Sequence, residues 1–245
     1  MRRAMAAFGR NDLMTIRRDS LLTAVLLGPF LYAAFLWFLP AATAFADRQW
    51  GFDLGPYESL IISAFCVLGP PLLLGAVMGL QLLDERDQRT LTALRVTPVP
   101  PGIYPAYRAV VTGLVAALMI VASLAVSMML TAGQLVLSVP VAVVAGMFAP
   151  VVGITMASLG RNKIEGLAVM RVIGLALFSV TLIPFFFLDA SWQLVFGIVP
   201  PYWPLRAFWA AMDGGTYWPY VVAGLAYNTL FCLTLLKVLS RRLAR

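Results

Sequence analysis

The sequence predicts an all-α, polytopic membrane protein of one domain, residues 1–245, with six transmembrane helices. Composition is the first reason: 61% of the residues are hydrophobic and 12% are charged, about half the charge of a soluble domain. Run length is the second, because uncharged apolar stretches of about 17 to 25 residues recur along the chain, the length a helix needs to cross a ~30 Å hydrocarbon core. Continuity is the third. A membrane β-barrel requires segments of about ten residues with alternating hydrophobicity, and these runs do not alternate.

Residues 1–19 differ from the rest of the chain. Met5, Phe8, Leu13 and Ile16 share one helical face while Arg3, Arg10, Arg17 and Arg18 share the other, which predicts an amphipathic helix lying in the membrane interface. The first span is Leu21–Leu39. Basic residues ahead of it and Ala44-Phe45-Ala46 behind it imitate a cleaved signal peptide. The apolar run exceeds the about 7–15 residues of a signal core and more spans come after it, so an uncleaved helix is expected. The remaining spans are Ser59–Leu83, Ala109–Ala132, Val139–Leu159, Val172–Leu188 and Trp218–Leu236. Gly28-Pro29, Pro70-Pro71 and Pro184 interrupt them, and the missing N–H groups and ring clashes permit kinks there. Gly75 and Gly79 stand one turn apart in the second span, where small residues admit another helix close to the backbone.

Orientation is set by the basic residues. Arg2, Arg3, Arg10, Arg17, Arg18, Arg86, Arg89, Arg95, Arg108, Arg161, Lys163, Arg171, Lys237, Arg241, Arg242 and Arg245 fall on one side, and only Arg48 and Arg206 on the other. The positive-inside rule places both termini in the cytoplasm, in the cell membrane of a bacterium. The net charge of +7 is this asymmetry, explained by anionic headgroups rather than by nucleic acid. Several chemistries are excluded by counting. Histidine is absent, and the two cysteines, Cys66 and Cys232, lie in apolar runs, so neither a metal site, a disulfide framework nor a Ser-His nucleophile is expected. No G-x-x-x-x-G-K-[ST] string occurs, so the chain has no P-loop and is not expected to be an enzyme or to bind a cofactor of its own.

The loop 84–108 reads DERDQRTLTALRVTPVPPGIYPAYR, too patterned for a mere connector. Asp84 can cap a helix N-terminus, Glu85 and Asp87 suit its first turn, and Arg95 suits its end. Thr97 precedes Pro98, which disfavours α geometry. A helix over Glu85–Val96 is predicted, with Leu91 and Leu94 on one face and Pro98, Pro100 and Pro101 stiffening the return. The second loop on the same side, Gly160–Arg171, is short. On the other side, residues 189–217 are too apolar for a loop in water. With Trp218 they hold four of the six tryptophans, as an interfacial segment does.

The string E-R-D-x-x-T-L-x-A-L-x-V-T-P resembles the signature between the second and third spans of type-2 ATP-binding-cassette (ABC) exporter permeases. Glu85, Arg86, Thr90, Leu91, Leu94, Thr97 and Pro98 match it, while Arg89 stands where the family usually has Gly. The resemblance extends over the chain and implies a cytoplasmic coupling helix, an external re-entrant helical hairpin over 189–217 divided at Pro200-Pro201, and a dimer of permeases, identical or related. It further implies a separate cytoplasmic ATPase subunit, in which ATP and Mg would be bound and hydrolysed. The residues agree with an external drive. All charged side chains lie outside the six predicted spans, whereas an ion-coupled carrier keeps an acidic group or histidine within the membrane.

An uncharged lining suits amphipathic small molecules. Gln81, Ser123, Ser127, Thr155, Ser179, Thr181 and Asn228 are the candidate polar groups of a substrate path, although internal bonding is the commoner use of such residues. Size and the LLDERDQRTLTALRVTPVP wording most resemble small actinobacterial drug-efflux permeases, fluoroquinolone exporters among them. A lipid or glycolipid exporter of the same architecture and a channel-like protein acting without an ATPase are the alternatives.

Overall fold

The computed structural model describes residues 20–87 and 103–244. The amphipathic helix expected over 1–19 and most of the predicted coupling helix lie outside the described residues. All regular structure in the described residues is helical: α1 (Ser20–Leu36), α2 (Leu39–Trp50), α3 (Glu58–Ile62), α4 (Gly69–Asp87), α5 (Ile103–Ser127), α6 (Ala132–Gly146), α7 (Phe148–Leu159), α8 (Lys163–Leu182), α9 (Tyr202–Met212) and α10 (Trp218–Ala244). They combine into six apolar helical stretches of membrane-spanning length, Val25–Trp50, Gly55–Asp87, Ile103–Ser127, Ala132–Leu159, Lys163–Phe187 and Trp218–Leu239. The protein is therefore an all-α, multi-pass membrane protein. Leu27, Leu31 and Phe35 on α1 and Val110, Leu114 and Leu118 on α5 are exposed at four-residue intervals. Such outward apolar stripes suit hydrocarbon, where a helix satisfies its own backbone.

The ends of these spans depart from the uncharged runs, and prolines explain several departures. The first span bends at Trp37-Phe38, not at Pro29, which sits inside α1. Pro40 at the start of α2 has no N–H for the Leu36 carbonyl, so the chain closes a tighter turn instead, with Trp37 N–H bonded to Ala34 O at 3.1 Å. The fourth span begins at Thr131, whose side chain and that of Gln134 form a reciprocal capping box. It breaks at Met147, where Pro150 withholds the N–H that Gly146 O would accept. The third span covers Ile103–Ser127 rather than Ala109–Ala132, and the fifth begins at Lys163 rather than Val172. Charged residues at helix ends are ordinary helix formers. An uncharged-run criterion stops too early at them.

The second span contains a π-helical stretch, Ser63–Leu68, immediately before Gly69-Pro70-Pro71. Pro70 cannot donate to Cys66 O, and the wide turn relieves the clash. Ser123 of α5 donates to that Cys66 carbonyl at 3.4 Å and to Ile120 O at 3.0 Å. Trp209 of α9 donates its indole N–H to Ser63 Oγ at 2.8 Å, anchoring the irregular turn from the other side.

The centre of the bundle is the pair α4 and α7, which make the most extensive helix contact. Gly75 and Gly79 cause it. A Cβ on Gly75 would lie 2.5 Å from Ala149 O and 2.7 Å from Val152 Cβ, and one on Gly79 would lie 2.6 Å from Met156 Sδ. Gly153 of α7 answers from the opposite helix, its own missing Cβ falling 2.8 Å from Gly75 O. Between the fifth and sixth spans, a 3-10 segment Ser191–Ile198 and α9 flank Pro200-Pro201. Tyr202, Leu205, Phe208 and Trp209 on α9 are fully buried, so Trp209 is a core residue rather than part of an aromatic belt.

Candidate functional site at the base of the first loop

Two helices carry the ends of the loop 84–108. Gln81 and Glu85 are one turn apart on α4, and Tyr104 and Arg108 are one turn apart on α5, so each pair projects from one helix face. The four side chains meet. Arg108 Nη2 lies 2.7 Å from Glu85 Oε1, Arg108 Nη1 donates to Gln81 Oε1 at 2.7 Å, and Arg108 Nε donates to Tyr104 Oη at 2.9 Å. The Tyr104 hydroxyl donates in turn to Glu85 Oε1. The guanidinium also lies 5.3 Å from the Tyr104 ring centroid.

The Arg108 and Glu85 side chains are only 13% and 17% exposed. A buried charge pair is tolerable when charge and hydrogen-bonding capacity are both matched, and Arg108 uses its planar fork on three groups. The expectation that every charge lies outside the spans is corrected here, since Arg108 is more than a turn inside α5. A carboxylate paired at the end of two helices is a structural clamp. It leaves the middle of the described spans without an acidic group, so an ion-coupled carrier remains disfavoured.

A second pair ties the two loops of this end together. Asp84 Oδ1 lies 2.7 Å from Lys163 Nζ at the first residue of α8. Asp84 is thus within the last turn of α4, which runs unbroken to Asp87, and not at a new helix N-terminus. Asn162 caps α8 through the Glu165 N–H at 2.9 Å. Gly166 presses on α4, where a Cβ would lie 2.4 Å from Leu83 Cδ1.

Of the residues matched to the coupling signature, Glu85 turns inward to α5 and Arg86 is exposed. Thr90, Leu91, Leu94, Thr97 and Pro98 lie outside the described residues. The substrate-path candidates are spread over five helices, α4, α5, α7, α8 and α10. Ser123, Ser127 and Thr181 are buried and donate to helix carbonyls, the last two to Leu124 O and Leu177 O. Asn228 is buried and donates across helices to Val144 O at 3.2 Å. Gln81 serves Arg108, Thr155 is half-buried on α7, and Ser179 is exposed on α8. Sequence reading used Arg108 only to set the orientation and gave Tyr104 no role. The signal available was two four-residue spacings, Gln81 to Glu85 and Tyr104 to Arg108, bracketing one loop.

Six membrane-length helices about a close-packed central pair, with a charged clamp closing one inter-span loop, define a multi-pass helical membrane protein. The chain belongs to the Rv2686c-like family, described as fluoroquinolones export permease protein Rv2686c-like, which it matches over residues 12–236. The fluoroquinolones export permease proteins of Mycobacterium tuberculosis strains CDC 1551 / Oshkosh and ATCC 25618 / H37Rv are each 39% identical to it over 241 residues, covering 98% of this chain and 94% of theirs. No solved structure matches the chain.

Proposed function

We propose that this chain is the membrane half of an ATP-driven drug exporter, moving amphipathic small molecules of the fluoroquinolone kind outward, and that the loop 84–108 couples it to a cytoplasmic ATPase. The observation that carries the reading is the clamp at the base of that loop. A docking element transmits force only if its two ends are fixed to the helices it must move. The contacts of Arg108 with Gln81 and Glu85, and of Tyr104 with Glu85, fix α4 to α5 at the points where the loop leaves and returns. The Asp84–Lys163 pair supports the same reading by tying α8 to that base.

In this reading Leu91 and Leu94 are the apolar anchors on the ATPase and Arg86 lies at the rim. Glu85 acts from within, by holding the loop, rather than by touching the partner. ATP and Mg reside in the ATPase, and a second copy or a related permease completes the pathway. Ser179, exposed on α8, is the substrate-path candidate best placed to face cargo between two such halves. The test is co-expression with the ATPase. Leu91→Ala combined with Leu94→Ala should weaken co-purification and abolish export while the permease reaches the membrane in normal amount, since truncated hot-spot anchors cost ~2 kcal/mol or more each. Wild-type export by that double variant would show the loop to be a connector.

A further inference from the structure

At the opposite end of the bundle, Arg206 of α9 has no carboxylate partner among the described residues. Its guanidinium lies 4.7 Å from the Tyr220 ring centroid, and Nη2 reaches Leu188 O at 3.5 Å, the outer limit of a hydrogen bond. Arg206 Nε is buried and unpaired. Two further polar atoms beside it share that condition. Tyr202, one turn back on α9, is completely buried with no partner for its hydroxyl. Gln193, 5% exposed, donates from Nε2 to the same Leu188 carbonyl at 2.6 Å, which leaves Oε1 turned away and unpaired. A tyrosine phenol is an O–H donor at neutral pH, and burial raises the Tyr202 pKa further.

Unpaired buried polar groups are costly, and two of them beside a cation whose own Nε is unpaired mark a place where something binds. We propose that Arg206, Tyr202 and Gln193 form a site for the phosphodiester headgroup of a membrane phospholipid. Arg206 and Tyr202 supply donors for the phosphate oxygens, which arginine recognises best as a planar fork. Gln193 Oε1 supplies one acceptor, for an ammonium or hydroxyl next to the phosphate. The long Arg206 contact with Leu188 O is the one the phosphate replaces. The neighbouring surface fits the rest of such a ligand: Leu194, Val195 and Ile198 on the 3-10 segment are exposed and apolar, suited to acyl chains, and Trp192 on the same segment is exposed as interfacial residues are.

Native mass spectrometry of the full-length chain, loaded in detergent with phosphatidylethanolamine, phosphatidylcholine or diacylglycerol, tests this without the ATPase. Phosphatidylethanolamine should be retained over phosphatidylcholine, whose trimethylammonium has no N–H, and both over diacylglycerol. Arg206→Gln should reduce phospholipid retention roughly tenfold or more, the effect of one charge-assisted hydrogen bond, and Arg206→Lys should restore part of it. Gln193→Leu should erase the preference between the two phospholipids while keeping both above diacylglycerol. Unchanged retention in Arg206→Gln would overturn the site. An unchanged headgroup preference in Gln193→Leu would do so as well, and decides the matter if the arginine variant fails to fold. Complete displacement of lipid by excess inorganic phosphate would show a free-anion site instead.

Discussion

Arg108 shows how much one residue can settle at a membrane boundary. Its three hydrogen-bond partners come from two helices that are separated by an entire loop in the sequence. Removing one member of a pair this buried strands the other, at a cost of roughly 3–5 kcal/mol. Arg108→Met should therefore lower the unfolding temperature in detergent by several degrees. Combining it with Glu85→Gln should recover part of the loss, because the stranded carboxylate is gone. Equal melting of Arg108→Met and wild type would exclude a clamp. The residue was readable as basic and near a span, but its inward direction was not. That depends on where α5 begins, and the apolar run starting at Ala109 concealed the turn from Ile103 that carries it.

At the scale of the element, proline and glycine carried most of the legible detail. The pair Gly75 and Gly79 signalled a close helix contact, and α7 supplies the partner. The two glycines are not equivalent. The nearest atom to an added Cβ on Gly75 is the backbone oxygen of Ala149, whereas on Gly79 it is the thioether sulfur of Met156, which can rotate away. Gly75→Ala should thus destabilise more than Gly79→Ala, within the ~1–3 kcal/mol typical of overpacking. Thermal unfolding of the two variants side by side checks the order. Identical losses would mean that α4 and α7 shift freely. The π-helical stretch was less legible: Pro70-Pro71 announced a disturbance, but whether a kink or a widened turn absorbs it depends on Ser123 and Trp209, which lie far away in the chain.

Over the whole molecule, the six spans and their order are legible from hydropathy, because length and apolar continuity leave one way to satisfy the backbone in lipid. What hydropathy cannot distinguish is an apolar side chain facing lipid from one facing protein. The second and fourth spans are 56% and 61% buried over their most apolar windows and the fifth only 11%, although the sequences look alike. The seven polar candidates were equally hard to separate, since a hydroxyl bonded to its own helix and one facing cargo have the same spacing. Topology is checkable directly. With Cys66 and Cys232 replaced, Lys163→Cys should resist an impermeant external thiol reagent in intact cells, and Gly214→Cys should react. Labelling at position 163 would reverse the orientation inferred from the basic residues and detach the loop 84–108 from any cytoplasmic ATPase.

The glycine seam between α4 and α7 also has a mechanical meaning. Two helices whose backbones touch bend together or not at all, so the pair behaves as a stiff beam. The 19 residues of α4 extend about 28 Å at 1.5 Å per residue. The π-helical turn at Ser63–Leu68 stands at one end of that beam and Asp87 at the other. With the irregular turn as fulcrum, a tilt of about 10° would swing the Asp87 end by about 5 Å, on the scale of one helical turn. Displacement imposed at the loop would then reach the far side of the membrane as rotation about one softened turn, rather than being lost along the length of the helix.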